Sequence, residues 1–518
     1  MFDLNASAAA AVVGLTVLAG LALADHAGAN QPATIDQTPE QYLRGARSNA
    51  EGRIEGEYTG QFWYWHARVP MQGFLDAYRA TGDTAWLDAA GEYFDWCLSL
   101  LHETPDGYQA WLGEVIGHPD RIGEHPVCDA VMYEPMLAFA ALVLVDEPEL
   151  ADAYGDNARQ YVEQATESLF EKWDARGIWK VDGPYGAYTG WPYYFPREEP
   201  GPWRRAGAGE QTPGTLPHNM NVHWGSVALM LHRITGDQQW RDRAEKIFNF
   251  VKSRLNLYDG HYSWSYRDPF GPWDVSADDP QDYRFWINTH PYRDYQQGEV
   301  SAMVRAYNHG VTFDETDMRR LVKTNLEVMF NGDVEDPQWN NSNAGVQLAA
   351  HGEIRQPELT DAFPRYAGIL WTALVPFDER ARELRERSLS PGSIEYALYH
   401  NVIARQDPGY ERKHGDLPAQ PFDFPFHDNS TLTMVAVLPA SVERGQPVIA
   451  GCQARIAGEL TVELRSGDGS QILRELHHGQ QRIGVRNVTL ETADLEPGTY
   501  RIRWTLRGEY REFPFEVR

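Results

Sequence analysis

The sequence predicts a mainly α-helical protein in which helical hairpins form a toroid, followed by a small β-sandwich domain. Two observations carry this prediction. One helical phrase occurs twice, as FLDAYRATGDTAWLDAAGEYFDWCLSLL over 74–101 and as ALMLHRITGDQQWRDRAEKIFNFVKSRL over 228–255. From about residue 430 the pattern changes to short alternating apolar runs separated by turn residues. Because a lone helical hairpin cannot bury its apolar face, the recurrence indicates a stacked or closed array of hairpins.

Both copies of the phrase contain the same turn, Thr-Gly-Asp. The glycines, Gly82 and Gly236, suit the left-handed position at which a helix ends. Asp83 and Asp237 can then cap the next helix, which a Trp opens four residues after the Gly. Each phrase therefore predicts two antiparallel helices joined by a tight turn.

Further hairpins are predicted along the chain with irregular spacing. They pair 131–145 with 149–170, 298–309 with 314–330, and 366–376 with 378–388, and they indicate five or six hairpins within a toroid domain of residues 30–425. The aromatic, Gly- and Pro-rich stretch 182–217 is too long for a simple connection. Compact domains rarely keep such loops unless they build a site, so we expect this stretch to line one.

Residues 430–518 are predicted to form an immunoglobulin-like accessory β-sandwich. The runs TLTMVAVLP, GELTVELRSGDGS, IGVRNVTLETADL and PGTYRIRWTLRG have the period of strands joined by turns. The segment 495–500, Leu-Glu-Pro-Gly-Thr-Tyr, resembles the turn-then-Tyr phrase before a late strand of immunoglobulin-like modules. A structural cap is favoured over carbohydrate binding as the role of this domain.

Composition restricts the partners and the compartment. The 518 residues include 74 acidic and 46 basic ones, a formal charge of −28, which argues against nucleic acid but leaves an anionic substrate open. Residues 1–29 contain an apolar run, Ala8 to Ala24, ending in small residues, and predict a signal peptide or an N-terminal anchor. We therefore expect a secreted or periplasmic protein that contacts a membrane only if this segment is uncleaved.

Polar and aromatic residues gather just before, or at the start of, the first helix of each pair. They are Trp63, Tyr64, Trp65, His66 and Arg68; Glu124, His125, Asp129 and Tyr133; His218, Asn219, Asn221 and His223; and His290, Tyr292, Arg293, Asp294 and Tyr295. If the first helices form the inner ring of a toroid, their N-terminal ends share one face. The side chains would then converge on one cleft, to which the helix N-termini add positive potential.

The phrase Ala-Tyr-Arg-Ala-Thr-Gly-Asp-x-x-Trp-Leu resembles those of secreted carbohydrate-active enzymes built on α/α toroids, over roughly residues 60–390. Hydrolases, lyases and epimerases share it. A more specific resemblance, to uronate-specific polysaccharide lyases of the alginate-lyase type, lies in two segments. These are Asn219-Met-Asn221-Val-His223-Trp224 and, about seventy residues on, His290-Pro-Tyr292-Arg293-Asp294-Tyr295. The adjacent Asn-Asn-His of that family is spread out in this chain.

This resemblance implies roles for particular residues. Asn221 and His223 would contact the uronate carboxylate, Tyr292 or Tyr295 would serve as base and acid, and Arg293 would hold the carboxylate or lower the pKa of the Tyr. The cleft would bind an anionic polysaccharide through Trp63, Tyr64, Trp65, His66, Arg68, His125, Trp191, His218, Asn219 and His290. Such residues suit β-elimination, because donors that neutralise the carboxylate acidify the adjacent carbon and a tyrosine hydroxyl can transfer the proton.

Other activities remain open on the sequence. A glycoside hydrolase needs two carboxylates, for which Glu124, Asp129, Glu134, Asp294 and Glu299 are candidates. The same proton-transfer and carboxylate-binding residues would also support a uronyl C5-epimerase. The aromatic loops alone would suit a non-catalytic glycan-binding protein. No cofactor is expected, although His218 and His223, with His66, His125 or His290, would suit a divalent metal such as Zn²⁺, and Ca²⁺ also stays open.

Overall fold

The structure is a computed structural model. It describes residues 32–59, 63–115, 118–207, 214–283, 290, 293–344, 347–348, 354–355, 368–403 and 420–518. The predicted signal peptide or anchor, residues 1–29, lies outside this part of the chain.

Helices dominate the chain up to residue 403. They are α1 (Pro39–Glu51), α2 (Trp63–Thr81), α3 (Ala85–Leu98), α4 (Pro126–Ala141), α5 (Ala151–Ala165), α6 (Lys172–Ala175), α7 (His218–Thr235), α8 (Gln238–Ser253), α9 (Arg293–Asn308), α10 (Glu315–Lys323), α11 (Glu379–Ser388) and α12 (Ile394–Leu398). Single π-helical segments continue α4 (Leu142–Asp146), α5 (Thr166–Glu171), α10 (Thr324–Met329) and α12 (Tyr399–Ile403). Short 3₁₀ helices occupy Pro148–Leu150, Pro272–Asp274 and Thr372–Phe377.

These helices form an α/α toroid, as predicted. In the inner layer α2 packs on α4, α4 on α7, α7 on α9, and α9 on the 3₁₀ helix Thr372–Phe377, while α12 packs back on α2. In the outer layer α3, α5, α8, α10 and α11 each pack on the inner element that precedes them. The inner helices α4 and α7 are buried on nearly every side, whereas α8 is amphipathic.

The repeated phrase makes the same turn in both copies, as predicted. Gly82 and Gly236 have φ of 71° and 70°. Asp83 and Asp237 each accept a hydrogen bond of 3.0 Å from the backbone N–H two residues on, at the start of the outer helix. The Thr hydroxyl before each Gly donates to the carbonyl four residues back, at 2.7 Å in both copies.

The inner helices begin earlier than their apolar periodicity indicates, at residues 63, 126, 218 and 293 rather than near 69, 131, 224 and 298. The predicted loop residues of the site therefore lie in the first two turns of helices. The apolar pattern misses these turns because polar side chains such as His66, Arg68, Asp129, His218 and Asn221 interrupt it. In the predicted pair 366–376 and 378–388, a 3₁₀ helix replaces the first helix.

Short strands connect and cover the helices. They are Ile54–Glu55, Tyr58–Thr59, His102–Glu103, Gln109–Ala110, Gly113–Val115, His118–Gly123, Trp179–Asp182, Tyr185–Tyr188, Tyr193–Pro196, Arg204–Arg205, Asn256–Tyr258, His261–Ser263, Val311–Thr312, Gln347–Leu348, Ile354–Arg355 and Gln420–Pro421. One sheet of four, in the order 204–205, 193–196, 118–123 and 113–115, stands over the N-terminal ends of the inner helices.

The C-terminal segment is a β-sandwich of two sheets. The first runs in the order Leu432–Leu438, Val448–Ala454, Gly484–Leu490, and the second in the order Ser441–Val442, Glu509–Val517, Gly498–Leu506, Gly458–Ser466, Ile472–Gln481. The hydroxyl of Tyr500 donates to the carbonyl of Glu496 at 2.7 Å, the contact expected of the turn-then-Tyr phrase.

The sandwich shares a hydrophobic core with the toroid. Phe513 and Phe515 of the sandwich pack in one cluster with Tyr185, Phe250 and Phe270 of the helical part. A second patch places Tyr283 against apolar residues of the first sheet of the sandwich.

Among the described residues, one helical stretch, Pro126–Asp146, is long and apolar enough to cross a membrane. Since 83% of its most apolar window is buried inside the protein, it is a core helix of the toroid.

Candidate active site

A cavity of about 370 Å³ lies at the N-terminal ends of α2, α4 and α7, beneath the four-stranded sheet. This volume is within the range of small-molecule sites, about 300–1,000 Å³. Its lining comprises Thr59, Tyr64, Trp111, Gly113, Glu114, Val115, His118, Arg121, Gly123, Glu124, His125, Pro126, Cys128, Gly190, Trp191, Pro192, Tyr193, Tyr194, Ala206, Gly214, Leu216, Pro217, Met220, Tyr266 and Arg267. Of the predicted site residues, Tyr64, His125, Trp191 and Glu124 are among them.

One wall of the cavity is aromatic and comes from the stretch 182–217. Trp191 and Tyr193 have ring centroids 4.3 Å apart, and Tyr194 carries the guanidinium of Arg121 at 4.3 Å from its centroid. Behind this wall, Arg176 lies 4.7 Å from the ring of Trp191. Rigid aromatic faces of this kind can stack on sugar rings.

The cavity is not acidic, although the protein is. Its two carboxylates are each matched by cations: Glu114 lies 2.7 Å from Arg197, and Glu124 lies 2.7 Å from Arg176. Arg121 and Arg267 add two guanidinium groups to the lining. Within the lining itself, two guanidinium groups therefore balance two carboxylates.

Glu124 and Asp129, the best carboxylate pair on sequence grounds, are held in a buried ion network. Lys172, fully buried, lies 3.2 Å from Glu124 and 2.8 Å from Asp129. The indole N–H of Trp173 donates to Asp129 at 2.8 Å. Burial raises the pKa of Asp129 to about 6 against the opposing charge of Lys172.

A second polar cluster lies among the inner helices, outside the lining of the cavity. His223 of α7 places Nδ1 2.5 Å from Oε2 of Glu134 on α4. Arg305 of α9 pairs with the other oxygen of Glu134, and Arg68 of α2 adds a second positive charge close by. Four inner helices thus contribute one carboxylate, two guanidinium groups and one imidazole.

The charge states of this cluster fix the tautomer of His223. Burial acts to raise the pKa of Glu134, but Arg305, His223 and Arg68 together hold it well below its usual range. Burial lowers the pKa of His223 more than Glu134 raises it, so the imidazole is neutral at pH 7. Because an ionised carboxylate only accepts, Nδ1 carries the proton and Nε2 keeps its lone pair.

Aromatic rings connect the pair His223 and Glu134, called the dyad below, to the cavity. The ring centroid of Trp65 lies 6.0 Å from that of His223, 6.3 Å from that of Tyr295 and 5.2 Å from that of Tyr64. Tyr295 in turn stacks on Tyr266, a cavity residue, at 5.6 Å. Burial raises the pKa of Tyr64 well above its usual value, so its hydroxyl stays protonated.

Two other predicted histidines are paired with different carboxylates. His290 is buried, with Nε2 2.6 Å from Glu299, which also accepts from the indole N–H of Trp264 at 2.6 Å. His218 lies 2.9 Å from Asp268. Among the described residues no group of three or more His, Cys, Asp or Glu side chains is placed to hold a metal ion.

Several predicted residues take structural positions instead. Asn221 accepts from the backbone N–H of Tyr188 at 2.8 Å and donates to the carbonyl of Leu216 at 2.7 Å, so its amide holds the chain rather than a ligand. Trp63 is fully buried against Trp96 and Trp111. The sequence expectation that these two contact the substrate is corrected, because their side chains are enclosed by the fold.

The remaining predicted residues are placed as follows. Asn219 is buried in the first turn of α7, where neither atom of its amide group has a partner among the described residues. His66 lies in the first turn of α2, where burial and the charge of Arg53 lower its pKa. Arg293 is the first residue of α9. Tyr292 and the side chains of Arg293 and Asp294 lie outside the part of the chain that the structure describes.

Sequence reasoning missed Arg305, Tyr266 and Arg267. Arg305 stands three turns into α9, beyond the N-terminal turns in which candidates were sought. Tyr266 and Arg267 lie between an alternating run, His261-Tyr-Ser-Trp-Ser265, and the pair Asp268-Pro269. This change of pattern before an Asp-Pro pair is the only signal that could have marked them.

No protein-family model matches the chain, and the comparison with curated proteins finds no similar sequence. Among solved structures, the chain is similar to a family 76 α-1,6-mannanase of Salegentibacter, at 12% identity and a TM-score of 0.34, covering 70% of this chain and 97% of that one. A family 76 α-mannanase of Bacteroides thetaiotaomicron matches at 10% identity and 0.33, covering 64% and 70%. Cellobiose 2-epimerase of Bacillus thermoamylovorans matches at 13% and 0.29, covering 69% and 99%.

Proposed function

We propose that this protein is an exported polysaccharide lyase that cleaves an acidic, uronate-containing glycan by β-elimination. The observation that carries the proposal is the pairing of His223 with Glu134: a neutral imidazole, oriented by an ionised carboxylate, keeps an acceptor nitrogen beside two guanidinium groups. A base held by a second group is the arrangement that proton abstraction needs.

In the proposed reaction the carboxylate of the uronate unit lies towards Arg68 and Arg305, whose charges stabilise the anion that develops. His223 Nε2 takes the proton from C5, and the electron pair forms the double bond between C4 and C5. The bond from C4 to the glycosidic oxygen breaks, and that oxygen receives a proton from Tyr295. The base is thus reassigned from a tyrosine to His223, because Nε2 is the acceptor that the dyad leaves open.

The cavity would hold neighbouring sugar units of the same glycan. Trp191 and Tyr193 supply faces on which sugar rings stack, and Arg121 and Arg267 supply charges complementary to further carboxylates. Export is proposed from the apolar run Ala8 to Ala24 and agrees with a polymeric substrate that cannot enter a cell.

Glycoside hydrolysis by Glu124 and Asp129 is the second candidate. Glu124 lines the cavity, and the pKa of Asp129, near 6, is suited to a general acid. Their ion pairs with Lys172 and Arg176 weigh against this reaction, since both carboxylates already have buried cationic partners.

The test is incubation of the purified protein with alginate, pectic, glucuronan and glycosaminoglycan substrates, following unsaturated-uronate absorbance and reducing ends together. A rise in both supports β-elimination and identifies the glycan. Reducing ends without absorbance contradict it and support hydrolysis. Solvent deuterium entering the glycan without either signal would instead mean epimerisation, and binding without any change would mean a glycan-binding protein.

Loss of both signals in His223→Gln ties the reaction to the dyad. The matched control is His232→Gln, because His232 lies on the same helix and bonds the carbonyl of Asp237 away from the site. Equal loss in both variants would show damage to α7 rather than removal of a base.

A further inference from the structure

One wall of the cavity includes a short loop of the toroid that follows the strand His261–Ser263 and packs towards the β-sandwich. Tyr266 and Arg267 of this loop line the cavity, and Tyr266 also stacks on Tyr295. The two residues that follow, Asp268 and Pro269, are buried behind them. We call residues 266–270 the wall loop.

The front of the wall loop is tied to the start of α7. The backbone N–H of His218 donates to the carbonyl of Tyr266 at 3.1 Å, and its ring lies 2.9 Å from Asp268. The guanidinium of Arg267 donates to the carbonyl of Thr215 at 2.6 Å. These contacts fix the loop relative to the helix that carries His223.

The rear of the wall loop is held by Arg254, at the end of α8. Its Nε and Nη2 both donate to the carbonyl of Pro269, at 3.3 and 3.0 Å. Phe270, the last residue of the loop, packs edge-on against Phe250 at 5.1 Å within the core that the sandwich shares.

Arg254 is itself seated by the sandwich. Its guanidinium lies between the rings of Phe250 and Phe513, at 5.1 and 5.0 Å from their centroids. Phe513 belongs to the sandwich strand Glu509–Val517. From the same strand Arg511 donates to the carbonyl of Leu255 at 3.2 Å, which fixes the chain just after Arg254.

We propose that Arg254 is a positioning residue through which the β-sandwich sets the place of Tyr266 and Arg267 in the cavity. The sandwich is then a support of the site rather than a separable sugar-binding module. Its strand 509–517 holds Arg254, Arg254 holds Pro269, and Pro269 lies two residues from Arg267. The proposal holds for whichever reaction the cavity carries out.

The test is hydrogen–deuterium exchange of the full chain, read by mass spectrometry on peptides that cover 264–274. In Arg254→Met these amides should exchange about tenfold faster, because a charge-assisted hydrogen bond to the loop is lost. Arg254→Lys keeps a cation between the two rings and one donor for Pro269, so it should restore part of the protection. Phe513→Leu changes only the sandwich, and it should also accelerate exchange in the peptides that cover 264–274.

The matched control is Arg243→Met. Arg243 also lies on α8, pairs with Asp174 and stacks on Trp179 at 4.9 Å, but it contacts neither the wall loop nor the sandwich. It should leave 264–274 unchanged. Unchanged exchange in Arg254→Met, or equal acceleration across all peptides, would overturn the proposal. Since exchange is measured without substrate, failure of the proposed lyase reaction would not alter this result.

Discussion

His223 and Glu134 join two neighbouring inner helices by a contact of 2.5 Å in the interior of the ring. The contact has two physical effects. It turns Nε2 of His223 away from α4, and it spreads the negative charge of Glu134 between an imidazole and the guanidinium of Arg305. A single carboxylate thus orients the proposed base and offsets one of the two cations.

The first prediction concerns the pH dependence of the reaction. Protonation of His223 removes the base, and because its pKa is lowered, kcat/KM should rise with pH only below the range in which histidine ordinarily titrates and should be level at neutral pH. Glu134 raises the pKa of His223, so Glu134→Gln should move this acid limb to still lower pH while reducing the rate about 10²-fold. The measurement is kcat/KM against pH for both proteins. If the acid limb stays at the same pH in Glu134→Gln, the ionisation of His223 does not control kcat/KM, and His223 is not the base.

The second prediction concerns the proton donor. Tyr295→Phe removes only a hydroxyl, and turnover should fall by about 10²–10⁴-fold with the circular dichroism spectrum unchanged. Tyr307→Phe is the control, because Tyr307 lies on the same helix but packs against Phe377. Activity retained in Tyr295→Phe would remove this residue from the mechanism.

The third prediction separates elimination from hydrolysis. In Glu124→Gln one carboxylate is lost from the buried network, so the free energy of unfolding should fall by about 2 kcal/mol, since Lys172 keeps Asp129 and Arg176 keeps Asp106. Urea unfolding gives that number, and activity below the melting temperature should remain. Near-complete loss of activity in a folded Glu124→Gln would instead place a hydrolytic carboxylate at this position.

The fourth prediction concerns the aromatic wall. Trp191→Leu should raise KM about threefold to tenfold with little change in kcat, because a stacking face is lost while the dyad is untouched. Trp203 also stacks on Arg176, at 5.6 Å, but does not line the cavity, so Trp203→Leu should leave KM near its original value. Steady-state kinetics on both variants tests this, and equal effects would assign the loss to Arg176 rather than to substrate stacking.

The fifth prediction concerns the junction of the two domains. Asp182 accepts a hydrogen bond from the backbone N–H of Ala440 in the sandwich, and burial raises its pKa to about 6. A raised carboxyl pKa means that the folded state holds the proton more tightly than the unfolded one, where the pKa is about 3.9. The contribution of Asp182 to the free energy of unfolding is therefore fully present below pH 4 and is lost as the pH rises through 6.

Asp182→Asn should lack this dependence, so the difference in unfolding free energy between wild type and variant should change by about 3 kcal/mol between pH 4 and pH 7. Urea unfolding at several pH values measures it. Exposed Asp278, replaced in the same way, is the control. A pH-independent difference would show that Asp182 titrates normally in the folded protein.

The sequence predicted the fold well because its turns are local. Gly82 and Gly236 end their helices through backbone geometry that neighbouring residues determine, and the sandwich strands follow a period of two that needs no distant partner. Helix starts were placed too late because burial inside a ring hides polar turns from an apolar pattern. His125 and Pro126, an N-cap and a first-turn proline, were the overlooked signals.

The site was predicted only in part for a related reason. His223 and Glu134 were both candidates on sequence grounds, but for different reactions, and only the ring shows that they are paired. Arg305 was missed because it lies three turns into α9. Asn221 shows the opposite error. Its amide type suggested a ligand contact, but its oxygen accepts from Tyr188 at the end of a short strand, and its nitrogen donates to the carbonyl of Leu216 just before α7.

The toroid is closed without a covalent link, since α12 packs on α2, and the side chain of Asn401 bonds the backbone of both Ala33 and Ala80. The helix that closes the ring, α12, is thus synthesised more than three hundred residues after α2, on which it packs. During synthesis the early hairpins must remain an open arc with one apolar flank uncovered. Contacts of such long separation form slowly. Aggregation is therefore most favoured before the ring closes, and chaperones that cover the exposed side of α2 would act at that stage.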